Sequence, residues 1–113
     1  MKTYSMTGLA LQYAVALALD LNPKAYKNEK GAYLVTDRRA NTPLLITAGD
    51  IQDKHRISAE VGHDGIWIAY NLYNYADERR NMQGGRTREE AVFRCLVDMK
   101  IGLQVDIPLE LEA

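Results

Sequence analysis

Two histidines lie near the middle of the chain, each close to an aspartate. Asp53 comes two residues before His55, and Asp64 follows His63 directly. Imidazole and carboxylate groups bind zinc, but a zinc site needs three or four ligands that converge. No Cys-x-x-Cys or His-x-x-x-His pair accompanies the two histidines. The sequence therefore predicts no metal site, no cofactor and two solvated loop histidines.

The single cysteine, Cys95, is the strongest nucleophile that the chain offers. It shares helical spacing with Val92, Leu96 and Met99, so we expect a buried and inert thiol. The Gly-x-Ser-x-Gly motif of serine hydrolases is missing. An enzyme built from separated acids and His63 has no motif to support it. We therefore predict no catalytic residues and no enzymatic activity. One cysteine also excludes a disulfide within the chain, which fits a reducing compartment.

The stretch GGRTREEAVFRC, residues 84–95, combines a glycine pair with a helix start. Thr87 and Glu90 have the spacing of a capping box, which predicts a helix beginning at this threonine. A Walker loop is excluded because its lysine and its glycine spacing are missing. Two interpretations of Arg86 remain open. The favoured one leaves Arg86 solvated, and the other lets Arg86 and Thr87 contact an anion at the helix N-terminus.

Four aromatic residues, Trp67, Tyr70, Tyr73 and Tyr75, lie within one short segment. In a strand, Tyr70 would face opposite to the other three. Such a face either joins the core or forms a binding surface for a partner protein or a stacked base. Arginines at positions 38, 39, 79 and 80 could add an anion contact to it.

Composition places the chain among ordinary globular proteins, with 47% hydrophobic and 26% charged residues. Its length suggests one domain over residues 1–113. The net charge of −1 argues against a broad nucleic-acid surface. The longest apolar run is too short to span a bilayer, and no secretory signal is expected. The sequence leaves the oligomeric state open.

The pattern of apolar residues and turn signals predicts a small α+β fold. A core helix is expected over 8–20, after Thr7 and before Pro23. Strands are expected over 32–36, 57–62 and 65–73, the last two joined by a His-Asp-Gly turn. A capped helix follows Thr87 and ends at Gly102. Residues 1–6 could form an edge strand, and an extended tail starts near residue 103. Connections without regular structure are expected at residues 21–31, 48–56 and 75–85. We predict a few-stranded, mostly antiparallel sheet packed with an N-terminal core helix and a C-terminal capped helix.

Three blocks of the chain resemble one known family. They are MKTYSMTGLALQYAVA at 1–16, YLVTDRRANTPLLI at 33–46, and GRTREEAVFRCLVDMKIGLQVDIPLEL at 85–111. Together they resemble the NinX-like phage proteins, a family of unknown function. The matching residues are Lys2, Thr3, Thr7, Gly8, Leu11, Ala14, Val15, Ala16, Thr36, Asp37, Pro43, Leu44, Gly85, Thr87, Arg94, Cys95, Val97, Lys100, Gly102, Val105, Pro108, Glu110 and Leu111. The chain departs from the family pattern after Asp37, where the family has an aromatic residue and glycines.

The resemblance implies a setting rather than a reaction. It implies a phage or prophage accessory protein in the cytoplasm of a bacterial host, and it supplies no catalytic residues. Our first hypothesis is a non-enzymatic module that binds a host or phage protein. The alternative is a binder of a small anionic ligand, a nucleotide or phosphorylated signal, acting as a sponge against host defence. The candidate binding residues are Trp67, Tyr70, Tyr73, Tyr75, Arg86, Thr87 and Asp37.

Overall fold

The structure, a computed structural model, describes residues 1–39, 42–71 and 81–112. These residues form three α-helices and two antiparallel sheets, of two and three strands, which confirms the α+β class. In chain order the elements are α1 (Gly8–Ala18), β1 (Pro23–Lys27), β2 (Tyr33–Asp37), α2 (Ala48–His55), β3 (Ile57–Val61), β4 (Trp67–Asn71), β5 (Met82–Gly85) and α3 (Arg88–Lys100).

Helix α3 lies at the centre of the fold. It packs against α1, α2 and every strand of the three-stranded sheet. Val92 and Leu96 of α3 and Val15 of α1 are fully buried. Burying a side chain of this size contributes about 1.5–3 kcal/mol. The predicted core helix is thus present, although it ends at Ala18 rather than at residue 20.

The three-stranded sheet has the order β3-β4-β5, and β4 pairs with both neighbours. Ala69 of β4 lies between Ala59 and Gln83, on the side of the sheet that packs against α3. Ile68 lies between Glu60 and Gly84, on the opposite side. The turn between β3 and β4 confirms the predicted hairpin, because Gly62 donates to the Ile66 carbonyl at 2.9 Å. The sheet therefore has an inner face toward α3 and an outer face toward solvent.

The segment predicted as a polar turn at 21–31 instead contains β1. Its five residues pair in register with β2, from Pro23 with Asp37 to Lys27 with Tyr33. Pro23 is tolerated because it is the first residue of the strand. The Asn28 side chain closes the hairpin by accepting from the amides of Lys30 and Ala32, each at 3.0 Å. The hydrogen-bonded pairing with β2 thus outweighs the low strand propensity of this polar segment.

The connection predicted at 48–56 is helix α2. Thr47 caps it by accepting from the amide of Asp50 at 3.3 Å, and Arg56 ends it in the left-handed region at φ 55°. Ile51 is its one buried residue. Because only one residue of α2 is buried, its sequence shows almost no repeat of apolar residues at helical spacing. The hydrophobic pattern therefore does not predict this helix.

The last part of the connector predicted at 75–85 is strand β5. Residues 75–80 of that prediction lie outside the described residues. Two glycines lower the strand propensity of Met82–Gly85, but the ladder to β4 fixes it. Gly85 also abuts α3, because a Cβ atom there would lie 2.6 Å from the amide nitrogen of Ala91. The glycine is required by close packing of strand on helix.

The two ends of the described chain lie side by side. Lys2 forms an isolated antiparallel bridge with Gln104, in place of the edge strand predicted for 1–6. Thr3–Ser5 and Leu109–Leu111 are short 3-10 helices. Thr3 is buried, and its hydroxyl donates to the Gly102 carbonyl at 2.6 Å. The tail is therefore tied to the start of the chain.

Candidate binding site

The predicted start of α3 is confirmed in detail. The Thr87 hydroxyl accepts from the amide of Glu90 at 3.1 Å. The Glu90 carboxylate reaches back to the amide of Arg86 at 3.2 Å, one residue earlier than the standard capping box. Gly102 then ends the helix at φ 125° and donates to the Val97 carbonyl at 3.0 Å. Thr87 is thus occupied as a cap, which accounts for this residue without a ligand.

Arg94 is the most buried cation of the described chain, with 8% of its surface exposed. Its Nε donates to the Met6 carbonyl at 2.9 Å and its Nη1 to the Gly84 carbonyl at 2.8 Å. Its Nη2 lies 3.1 Å from a Glu90 carboxylate oxygen. Burial lowers the pKa of Arg94, and Glu90 opposes that shift. The guanidinium ties α3 to β5 and to Met6, two residues before α1.

An open cleft of about 590 Å³ lies in front of this network. Arg94, Glu90 and Arg86 line one part of it. The remaining lining residues are Tyr4, Thr7, Ile66, Gly84 and Gly85. The cleft combines two guanidinium groups with one carboxylate, so its lining carries one excess positive charge. Arg86 is therefore placed with a second arginine, as the anion hypothesis requires.

Trp67 does not join Arg86. Its ring is half-buried on the inner face, where it packs against the core. It lines a separate groove together with Arg88, whose Nε donates to the Gln52 side chain at 2.8 Å. The arginine that approaches Trp67 is thus Arg88 rather than Arg86.

Tyr70 lies on the outer face, opposite to Trp67, as strand alternation predicts. Its hydroxyl donates to the Glu60 carboxylate at 2.9 Å. Tyr73 and Tyr75, two further candidate binding residues, lie outside the described residues. The arginines at 79 and 80 lie outside them as well. The tyrosine-rich surface is therefore described at Tyr70 alone.

The outer face carries apolar side chains that sequence reasoning did not select. We define the outer-face patch as Ile66, Ile68, Tyr70 and Met82. Ile68 is 42% exposed and Met82 is 51% exposed. The signal was present in the sequence, because residues 66, 68 and 70 alternate with the inward residues 67, 69 and 71. Met82 could be added only once the pairing of β5 with β4 was known.

Side chains close part of both edges of this sheet. The Gln52 amide donates to the Ile57 carbonyl of β3 at 3.3 Å. Arg94 occupies the Gly84 carbonyl of β5. Strand addition at a sheet edge needs a row of free backbone groups. The geometry thus favours contact through the outer face over extension at an edge.

Asp37 ends β2 and shapes the loop after it. Its carboxylate accepts from the amide of Arg39 at 2.7 Å, which forms an Asx-type turn. Arg38 donates from Nε to the Pro23 carbonyl at 3.1 Å. Both residues contact their own hairpin and lie in neither the cleft nor the outer-face patch. Residues 40 and 41 of this loop lie outside the described residues.

The Cys95 thiol is buried and lies beside Asn81, the residue before β5. Its sulfur lies 3.4 Å from the Asn81 carbonyl. Burial and the nearby Asp98 carboxylate raise the pKa of Cys95 to about 12. Asp98 accepts from the side-chain amides of Asn81 and Gln83, each at 3.0 Å. A thiol with this pKa holds its proton at neutral pH and is a poor nucleophile.

The two histidines differ in position and in burial. His55 is the last residue of α2 and is partly buried; burial lowers its pKa, and Lys100 and Lys54 lower it further. His63 is exposed in the turn between β3 and β4. Among the described ranges, no group of three or more His, Cys, Asp or Glu side chains is placed to hold a metal ion. No helix within these ranges is long and apolar enough to cross a membrane.

Fold and site together define a small α+β domain with a two-faced antiparallel sheet and a basic cleft at one end of its central helix. No protein-family model matches the chain, and no curated protein matches it.

Proposed function

We propose that this protein is a non-enzymatic module that binds another protein through the outer-face patch. The observation that carries this proposal is a set of large apolar side chains on the solvent side of β4 and β5. Contiguous exposed apolar groups on a small domain are typical of interaction surfaces. Tyrosine and methionine are also enriched where proteins meet.

The partner is a protein with an apolar surface flat enough to lie on a sheet. Glu60 and the hydroxyl of Tyr70 lie beside the apolar residues and give the patch a polar border. An apolar centre with a polar rim is the usual anatomy of a protein interface. The charged residue in register with Ile68 is Glu60, and a carboxylate at this position does not favour a nucleic-acid partner.

The resemblance to NinX-like phage proteins supports the setting of this proposal. We infer a phage or prophage accessory protein that acts in the cytoplasm of a bacterial host and binds a host or phage protein.

The proposal is tested with a lysine in the patch. Ile68→Lys places a cation opposite Glu60. The attraction between the two charges offsets the stability that is lost with an exposed isoleucine. Val61→Lys is the matched control, because Val61 is 53% exposed in the same sheet and in register with Trp67, away from the patch. Tagged wild-type protein is expressed in bacterial cells, and a partner retained in constant ratio is identified, purified and mixed again with each variant.

We expect the purified partner to bind the wild type and Val61→Lys equally and to lose binding to Ile68→Lys. Equal binding by all three proteins would reject the outer-face patch. Self-association of the purified chain that Ile68→Lys abolishes would instead make a second copy the occupant and contradict a foreign partner.

A second candidate function is binding of a small anionic ligand. The specific observation that favours it is the cleft lined by Arg86 and Arg94. The cleft shares Ile66 with the outer-face patch, but its two arginines lie outside the patch, and anion binding can be tested on the purified chain alone.

A further inference from the structure

The cleft in front of α3 already holds one oxyanion, supplied by the protein itself. A single oxygen of Glu90 lies 3.2 Å from the amide of Arg86 and 3.1 Å from Nη2 of Arg94. These two donors are therefore arranged at the correct spacing for a carboxylate or phosphate oxygen. The intramolecular contact shows which kind of group the cleft favours.

Arg94 retains donors that its present partners do not use. A guanidinium has five N–H groups. Contacts to Met6, Gly84 and Glu90 account for three of them within the described residues. Arg94 is more than nine-tenths buried, so its few exposed atoms are those that line the cleft. A buried cation with spare donors gains more from an incoming anion than an exposed one does.

The residue that precedes α1, Thr7, lines the same cleft. Thr7 is the N-cap of α1, yet its hydroxyl accepts no hydrogen bond from the helix. The first turn of α1 also contains no acidic residue. By contrast, the first turn of α3 has Glu89 and Glu90. The α1 N-terminus thus keeps its partial positive charge beside Arg94, which holds the carbonyl of Met6.

We propose that this cleft binds a small phosphate monoester, with Arg86 and Arg94 as the charged ligands of the phosphate. A single carboxylate would gain nothing over Glu90, which already neutralises one charge. A phosphate monoester carries nearly two negative charges at neutral pH and offers three acceptor oxygens. A cleft of about 590 Å³ leaves room for an organic group beyond the phosphate. Tyr4, 63% exposed, presents a ring to that group.

The test is a titration of the purified full chain, followed by backbone amide NMR at constant chloride concentration. The probes are inorganic phosphate, adenosine 5′-monophosphate and adenosine. We expect saturable shifts of the amides of Gly8, Arg86 and Thr87 with both phosphate probes and none with adenosine. Failure of both phosphate probes to bind, or equal binding of adenosine, would overturn the proposal.

Three variants separate a site from general charge attraction. Arg86→Gln removes an exposed cation and is expected to raise the Kd for adenosine monophosphate about tenfold, the loss of one charge-assisted contact. Lys30→Gln makes the same charge change on the exposed β1–β2 turn. It should change the Kd for adenosine monophosphate by less than about twofold, because distant charges are screened.

Glu90→Gln removes the competing carboxylate but keeps an oxygen for the amide of Arg86. We expect it to bind phosphate several-fold more tightly than the wild type. Equal Kd values for Arg86→Gln and Lys30→Gln, or weaker binding by Glu90→Gln, would contradict the assignment. Because no partner protein is present, these results do not depend on the outer-face patch.

Discussion

The two faces of strand β4 differ in what surrounds them. Ala69 on the inner face is fully buried beneath α3, whereas Ile68, its neighbour in sequence, is exposed. Both faces carry apolar side chains, yet only the inner one is covered by described residues. The difference separates two uses of hydrophobicity. Inner residues stabilise the fold, and outer residues remain available for a partner.

The largest expected difference between the faces is in stability. Leu96→Ala opens a cavity under the inner face and should lower the free energy of unfolding by about 3 kcal/mol. Met82→Ala on the outer face should lower it by less than about 1 kcal/mol, because Met82 is half exposed. Urea denaturation measures both. Similar losses would mean that the outer face is also part of the core.

Arg94 links the inner layer to the cleft, and its removal is the next largest effect. Arg94→Met should lower the free energy of unfolding by about 2 kcal/mol, because the buried Met6 carbonyl, the Gly84 carbonyl and Glu90 lose their donor. Arg88→Met is the control, since Arg88 is exposed and donates to one glutamine side chain, so its loss should cost less than about 0.5 kcal/mol. A costlier Arg88→Met in chemical denaturation would contradict this ranking.

The two helix starts that border the cleft give a matched pair of threonines. Thr87→Ala should lower the free energy of unfolding by about 1 kcal/mol, because the hydroxyl caps α3. Thr7→Ala should change it by less than about half as much, since the Thr7 hydroxyl caps nothing. Thermal or urea unfolding separates the two. Equal losses would show that Thr7 also acts as a cap.

An effect of similar size to that of the cap is expected from pH, through Cys95 beneath the inner face. Cys95 has its pKa raised from 9.0 to about 12 in the folded protein, so its contribution to stability is complete below pH 9 and is lost as pH rises toward 12. Between pH 8 and pH 10 the wild type should lose about 1 kcal/mol more than Cys95→Ala does. Parallel pH dependence of the two proteins, or rapid labelling of the native thiol at pH 8, would contradict a buried neutral thiol.

The elements that could be predicted from the sequence are those whose local signals agree with their packing. The α3 helix has a cap, an apolar face and a glycine end, and all three are present in the structure. The β3–β4 hairpin has alternation and a turn signal. Local and tertiary preferences coincide there, so a pattern suffices.

The rest depended on partners distant in sequence. Strand β1 is polar and is held by β2, α2 has one core residue, and β5 is rich in glycine. The cleft is divided between the two cases. Gly84, Gly85, Arg86, Glu90 and Arg94 come from the one stretch that the sequence marks as a possible anion contact. Tyr4, Thr7 and Ile66 come from distant parts of the chain, so no local spacing could add them.

The central claim is that the inner face stabilises the fold and the outer face binds a partner. One variant, measured in two ways, tests this claim most directly. Ile68→Lys is measured for its free energy of unfolding and for its affinity for the purified partner. We predict stability within about 0.5 kcal/mol of the wild type and loss of partner binding. A clear loss of stability with binding retained would contradict the central claim, because Ile68 would then serve the fold rather than the partner.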